Sequence, residues 1–217
     1  MNTIITIGRQ YGSGGRKIGM ELAQRYGIPF YDKELLKATA EKSGLCEKIM
    51  ENFDERPKSL LYSIAMDSYF SLPGGGAGDS LEHQVYLAMF NTIRHLADEG
   101  PCVIIGRCAD YALAGRDNVL SVFVHAPLDM RIKTVMARHD LTEDKARARI
   151  AKTDKRRAAY YEYYSTQRWG DVNSYDYCLD SSVLGIHGTV DLIGQIVAMK
   201  EARQAAQKDP EAQTEEK

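Results

Sequence analysis

The stretch Gly8-Arg9-Gln10-Tyr11-Gly12-Ser13-Gly14-Gly15-Arg16-Lys17 decides how the chain is read, because it separates two segments of different periodicity. Ahead of it, Thr3 to Ile7 is a short, β-branched run, the pattern of a buried strand. Behind it, Ile18, Leu22 and Tyr26 recur at helical spacing with Glu21, Gln24 and Arg25 between them, and Gly27 closes the helix. Glycines in such a connection leave several backbone N–H groups pointing into one concavity, with the positive end of the helix dipole behind them. That geometry holds a phosphate. Arg16 and Lys17 add positive charge at the helix start, which costs about 0.3–1 kcal/mol each unless an anion compensates. An ordinary tight turn needs neither four glycines nor two misplaced cations.

Two phosphate-loop motifs compete for this stretch. A dinucleotide fingerprint G-x-G-x-x-G begun at Gly12 and Gly14 puts its third glycine on Lys17, although Asp32 stands about 20 residues on, where a ribose-binding acid belongs. A P-loop, G-x-x-x-x-G-K-[ST], also fits imperfectly.

Working outward, Ile28 to Tyr31 reads as a second strand, after which Asp32 can cap a helix carrying Leu35, Leu36 and Ala40. Leu72 to Asp79 is a glycine-rich loop, so residues 33–79 form a helical insert in a single domain spanning 1–200. Ser80 opens a long helix that closes at Gly100. Cys102 to Ile105 and Val119 to Val124 have the continuous apolar character of strands covered on both faces, and Tyr175 to Leu179 supplies another. Pro127 starts a helix running through Arg138. A basic helix from about Thr142 to Ser165 carries Arg147, Arg149, Lys152, Lys155, Arg156 and Arg157 within a lid region at 139–168, and Val190, Ile193, Ile196 and Val197 mark a closing helix. From Glu201 onward the apolar period is lost, which predicts a flexible tail over 201–217. The expected fold is a three-layer α/β/α arrangement around a parallel sheet.

The 217 residues are 44% hydrophobic and 27% charged, enough to bury a core and to exclude disorder of the whole chain. With 28 Lys and Arg against 30 Asp and Glu, there is no global basic excess, so no nucleic-acid partner is expected and any anion site is local. No apolar run reaches about 18 residues and no signal-peptide pattern precedes the loop; no membrane partner and a cytoplasmic location are expected. Cys46, Cys102, Cys108 and Cys178 form no CxxC pair and read as reduced thiols. The five histidines lack metal-ligand spacing.

Taken together, these segments resemble the cytidylate kinase-like family of P-loop nucleoside monophosphate kinases. Ile5-Thr6-Ile7 through Gly12-Ser13-Gly14-Gly15-Arg16-Lys17 to Tyr31-Asp32 is similar to the family's P-loop, helix and monophosphate-contacting segment, and Ile104-Ile105-Gly106-Arg107 to the strand ending in a substrate-binding Gly-Arg pair. Arg131 matches an arginine on the helix before the lid, Asp154 and Arg156 match the lid, and Leu179-Asp180-Ser181-Ser182 the end of the last strand. In this register the P-loop lysine falls on Gly15, the magnesium-binding Ser/Thr on Lys17, and the acid before the Gly-Arg pair on Ile105.

The resemblance implies a P-loop NTPase fold and transfer of the γ-phosphate of ATP, with Mg²⁺, to a CMP- or dCMP-like nucleoside monophosphate or a related small phosphorylated acceptor. Gly12, Ser13, Gly14, Gly15, Arg16 and Lys17 would cradle the donor phosphates, with Arg16 or Lys17 replacing the lost lysine. Arg107 would hold the acceptor phosphate, Asp32 its sugar or base, and Arg131 with Arg156 would close over the transferring group. Which residue holds the metal is not assigned. Two other classes stay open: a nucleotide-binding regulator with little or no turnover, favoured by the missing lysine and acid, and an NAD-type dinucleotide-binding protein.

Overall fold

The computed structural model describes residues 1–32 and 79–208. The five short apolar runs expected to pair do so in one parallel sheet, with strands β1 (Ile4–Arg9), β2 (Phe30–Tyr31), β3 (Val103–Ile105), β4 (Val119–His125) and β5 (Tyr177–Asp180) in the order β2-β3-β1-β4-β5. The central strand β1 pairs with β3 through Ile5 opposite Val103 and Ile7 opposite Ile105, and with β4 from Ile4 opposite Val119 to Arg9 opposite Val124.

Alternation along the strands sends side chains to two helical layers. Ile5, Ile7, Val103, Ile105, Leu120, Val122 and Val124 pack with α1 (Gly15–Tyr26) and the last helix, α6 (Ser181–Lys208), through Ile18, Leu22, Val190, Ile193 and Val197. Ile4, Cys102 and Ile104 face the other way, toward α2 (Asp79–Glu99) and the short α3 (Ala109–Ala112), meeting Met89, Ile93, Leu96 and Ala109. The result is the expected three-layer α/β/α arrangement. By length and composition α6 is apolar enough to cross a membrane, yet its buried residues close one face of this sheet.

Two helices remain outside the sandwich. α4 (Leu128–His139) and α5 (Glu143–Ser165) pack together through Ile132, Val135, Ala146 and Ile150, while the far end of α5 brings Tyr161 to Phe123 and Tyr175. α5 is therefore anchored at both ends and crosses the carboxyl edge of the sheet. Cys102 and Cys108 are buried and free, and Cys178 is partly buried. Cys46 lies outside the described residues, as does the insert expected at 33–79 apart from Asp79, which opens α2.

At the other end, α6 runs past Glu201 to Lys208, contrary to the loss of order expected there. The reason is tertiary. Glu201 accepts hydrogen bonds from the backbone N–H of Asn2 and Thr3 and from the Thr3 hydroxyl at 2.9 Å, which ties the helix to the start of β1. Residues 209–217 lie outside the described residues.

Candidate functional site

The loop between β1 and α1 owes its shape to glycine. Gly12 and Gly14 have φ of 86° and 82°, in the left-handed region where a Cβ is disfavoured, and a Cβ on Gly14 would also strike Cδ1 of Ile186. The loop is fastened from beneath. The buried Ser13 hydroxyl donates toward the carbonyls of Gln10 (2.9 Å) and Val124 (3.0 Å), and the Ser181 hydroxyl toward those of Ser13 (2.7 Å) and His125 (3.1 Å). The Ser13 side chain thus fixes the loop to the sheet, leaving backbone groups to line the concavity.

A second clamp comes from the outer helices. Tyr11 N–H donates to Asp154 Oδ1 at 2.7 Å, while Arg131 Nη1 pairs with Asp154 Oδ2 at 2.6 Å and donates to the Tyr11 carbonyl at 3.3 Å. Arg131 Nε donates to the Ala126 carbonyl at 3.0 Å, and both members of the pair are largely buried. Arg131 and Asp154 therefore set the position of the loop between α4 and α5.

The two cations at the helix start turn away from the loop. Arg16 puts Nε (3.1 Å) and Nη2 (2.7 Å) on the same oxygen of the buried Asp32, with its guanidinium carbon 5.7 Å from the centroid of the Phe30 ring. Lys17 lies 3.8 Å from Glu21 one turn along α1, and Glu21 also meets His187 at 2.9 Å. Each has an acid that offsets the unfavourable dipole noted from the sequence.

The other side of the loop opens on a cavity of about 280 Å³ between the ends of β1 and β3 and one face of α5. Its walls carry the arginines Arg9, Arg107, Arg149, Arg156 and Arg157, with Asp110 as the carboxylate among the described lining residues. Tyr160, Tyr161, Trp169 and Tyr175 supply aromatic surface. Arg107 reaches the cavity because Gly106, Arg107 and Cys108 have φ of 69°, 61° and 55°, a left-handed run that turns the chain sharply after β3. Left-handed non-glycine residues are uncommon and cluster at functional sites. The Arg107 guanidinium sits 5.3 Å from the centroid of the Tyr160 ring.

Arg157 donates to the Arg9 carbonyl at 2.9 Å and lies 5.5 Å from the centroid of the Tyr11 ring. Burial holds its pKa below the usual arginine value, with Arg156 and Arg107 adding repulsion against the attraction of Asp154 and Tyr11. Arg9 is held well below its ordinary value, first by burial and then by Arg157 and Arg107. Asp110 is pushed up to about 6 by burial, against the Tyr161 hydroxyl that donates to it at 2.6 Å. This is a desolvated, strongly positive cavity with an aromatic wall, suited to a small anion that carries a flat ring.

The structure thus brings Arg107 and Arg156 to one cavity beside the glycine loop, and separates from it the side chains of Arg16, Lys17 and Arg131. Asp180 accepts from the backbone N–H (2.8 Å) and hydroxyl (2.7 Å) of Ser182, an arrangement that caps the start of α6. Sequence reasoning passed over Arg9 as a cation and did not phase the basic helix. Positions 149, 153, 156, 157, 160 and 161 are one helical stripe, and this stripe faces the cavity. Among the described residues no group of three or more His, Cys, Asp and Glu is arranged to hold a metal ion.

Comparison with known proteins agrees with this architecture. Residues 4–183 match the cytidylate kinase-like family. A cytidylate kinase from Methanopyrus kandleri is 26% identical over 191 residues, covering 84% of this chain and 86% of that protein. The crystal structure of an uncharacterized protein from Eubacterium ventriosum is similar with a TM-score of 0.68 and 29% identity, over 90% of this chain and 98% of that one. TT1252 from Thermus thermophilus shares the fold, with a TM-score of 0.53 and 18% identity over 88% of this chain and 96% of its own.

Proposed function

Because the chain belongs to the cytidylate kinase-like family, we propose that it is an ATP-dependent kinase transferring the γ-phosphate to a nucleoside monophosphate, CMP or dCMP or a related small phosphorylated acceptor. The observation that carries this reading is the adjacency of the glycine loop to a strongly positive cavity whose lining includes Gly8, Arg9 and Tyr11. The glycine loop opens beside a cavity lined by arginines from β1, β3 and α5. Phosphoryl transfer asks the protein chiefly to align donor and acceptor phosphates and to neutralise their charge.

Backbone N–H groups from Gly12 to Lys17 would cradle the donor phosphates. Arg107 would hold the acceptor phosphate, and Arg156, on the cavity face of α5, would close over the transferring group. Arg131 acts in this scheme as a positioning residue through Asp154 and Tyr11. Asp32, oriented by Arg16, would accept a hydrogen bond from the acceptor's sugar or base. Tyr160 and Tyr161 offer a surface for a base. α5, with 139–168 as a lid region, would keep water from the donor.

Bound with ATP, Mg²⁺ would supply positive charge against the donor phosphates. The loop itself fits this ion poorly, since two cations, Arg16 and Lys17, follow Gly15 where the motif calls for a hydroxyl ligand.

A second reading, a nucleotide-binding regulator with little turnover, is favoured by the commitment of Arg16 and Lys17 to carboxylates away from the loop. A coupled ADP-release assay with ATP, Mg²⁺ and a panel of nucleoside monophosphates separates the two. Release stimulated by one acceptor, with CMP or dCMP first, supports the kinase. ATP binding with no acceptor-stimulated release at high enzyme concentration supports the regulator, and NAD binding in place of ATP sinks both.

A further inference from the structure

Counting back from Gly15, where the family register places the P-loop lysine, the first glycine of G-x-x-x-x-G-K falls on Arg9. The motif's small residue and its cation have exchanged places along the chain. In space they have not moved far. A Cβ built on Gly15 would lie 2.7 Å from the Cβ of Arg9 and 3.2 Å from its Cγ, so the Arg9 stem fills the space beside the loop that a lysine stem at 15 would need. Its guanidinium then extends over Gly106, whose missing Cβ leaves the room that Nη1 occupies, into the arginine-lined cavity.

Arg9 makes no hydrogen bond or ion pair through its side chain with the described residues. Asp32, the carboxylate that favours its charge, is already engaged by Arg16. The Arg9 backbone, by contrast, is pinned by β4 on one side and by Arg157 on its carbonyl at 2.9 Å. A partly buried guanidinium repelled by Arg157 and Arg107, with no acid of its own, is unfavourable until an anion compensates it.

We propose that Arg9 is the loop cation of this protein, contacting the phosphates of the donor nucleotide in place of a P-loop lysine, with Gly15 required to be glycine so that the Arg9 stem can lie across it. The proposal rests on the ATP-dependent reading above and names the residue that makes the unusual loop competent. It also gives Arg16 a different part, that of orienting Asp32.

The test compares MgATP affinity, by titration calorimetry, and the unfolding temperature of the ligand-free protein. Arg9→Met keeps an apolar stem over Gly15 and removes the charge. MgATP affinity should fall roughly 10- to 100-fold, the loss of one charge-assisted contact, with the ligand-free unfolding temperature unchanged or raised. A merely structural role would lower that temperature and leave affinity intact. The exchange can also be reversed. Gly15→Lys alone should weaken binding by colliding with the Arg9 stem, whereas Arg9→Ala combined with Gly15→Lys should bind MgATP more tightly than Arg9→Ala by itself. MgATP affinity in Arg9→Met equal to the parent's overturns the proposal while leaving the kinase reading standing. A parent chain that binds no MgATP overturns both.

Discussion

The two flanks of the glycine loop carry the same kind of charge and treat it in opposite ways. On the helix flank, Arg16 and Lys17 each lean on a carboxylate, Asp32 and Glu21, and their side chains are more than half exposed. On the cavity flank, Arg9, Arg107 and Arg157 crowd one another, and burial lowers the pKa of both Arg9 and Arg157. A cation that has its own acid in the resting protein gains little from an anionic ligand. One that is desolvated among like charges gains a great deal. Function is therefore expected on the flank that is electrostatically unfinished.

The contrast can be broken first at the clamp that holds the loop between the flanks. Arg131→Ala leaves Asp154 in a largely buried position with the Tyr11 N–H and the more distant charge of Arg157, and should cost about 3 kcal/mol in equilibrium unfolding, the lower end of the range for a broken buried pair. MgATP and acceptor affinity should fall together, since the loop is displaced as a whole. A variant as stable as the parent would show that the clamp is not what positions the loop.

Arg107→Ala probes one flank alone. Acceptor KM should rise roughly 10- to 100-fold, as for a lost charge-assisted contact, with MgATP affinity retained. Equal loss of both affinities in steady-state kinetics and calorimetry would contradict the division of roles between Arg9 and Arg107.

Asp110 sharpens the comparison through pH. Its carboxyl is raised to about 6, so the folded protein holds the proton more tightly than the unfolded chain does. Its contribution to stability is full below about pH 4, the ordinary carboxylate range, and is lost as the pH rises through about 6. Asp110→Asn should therefore gain on the parent as the pH goes from 4 to 7 in thermal unfolding. Parallel profiles would mean that Asp110 does not titrate in this range.

The smallest effect belongs to the helix flank. Lys17→Ala removes a cation 3.8 Å from Glu21 across one exposed helical turn, worth about 0.3–0.5 kcal/mol, and MgATP affinity should change by less than about threefold. A loss as large as that from Arg9→Met would return the loop's cation to the position the motif suggests and undo the contrast.

Much of the fold was legible because its signals are local. Ile4 to Ile7, Val103 to Ile105 and Val119 to Val124 are apolar runs that any parallel sheet needs, and the glycines at 12 and 14 announce a backbone no other residue adopts easily. Arg107 and Arg156 are named by the order of family motifs along the chain, and both line the cavity. Arg16, Lys17 and Arg131 are expected from the sequence on the phosphates, but the carboxylates that engage them, Asp32, Glu21 and Asp154, come into reach only after folding. The end of α6 was misread for the same reason, since Glu201 meets Asn2 and Thr3 across nearly the whole chain.

Sequence by itself determined the layers, the position of the glycine loop and the family, because periodicity and glycine placement are properties of neighbouring residues. Tertiary structure decided which cations line the cavity. The direction of a side chain from the end of β1 depends on strand register, and the burial that leaves Arg9 wanting an anion is contributed by β3, β4 and α5 together.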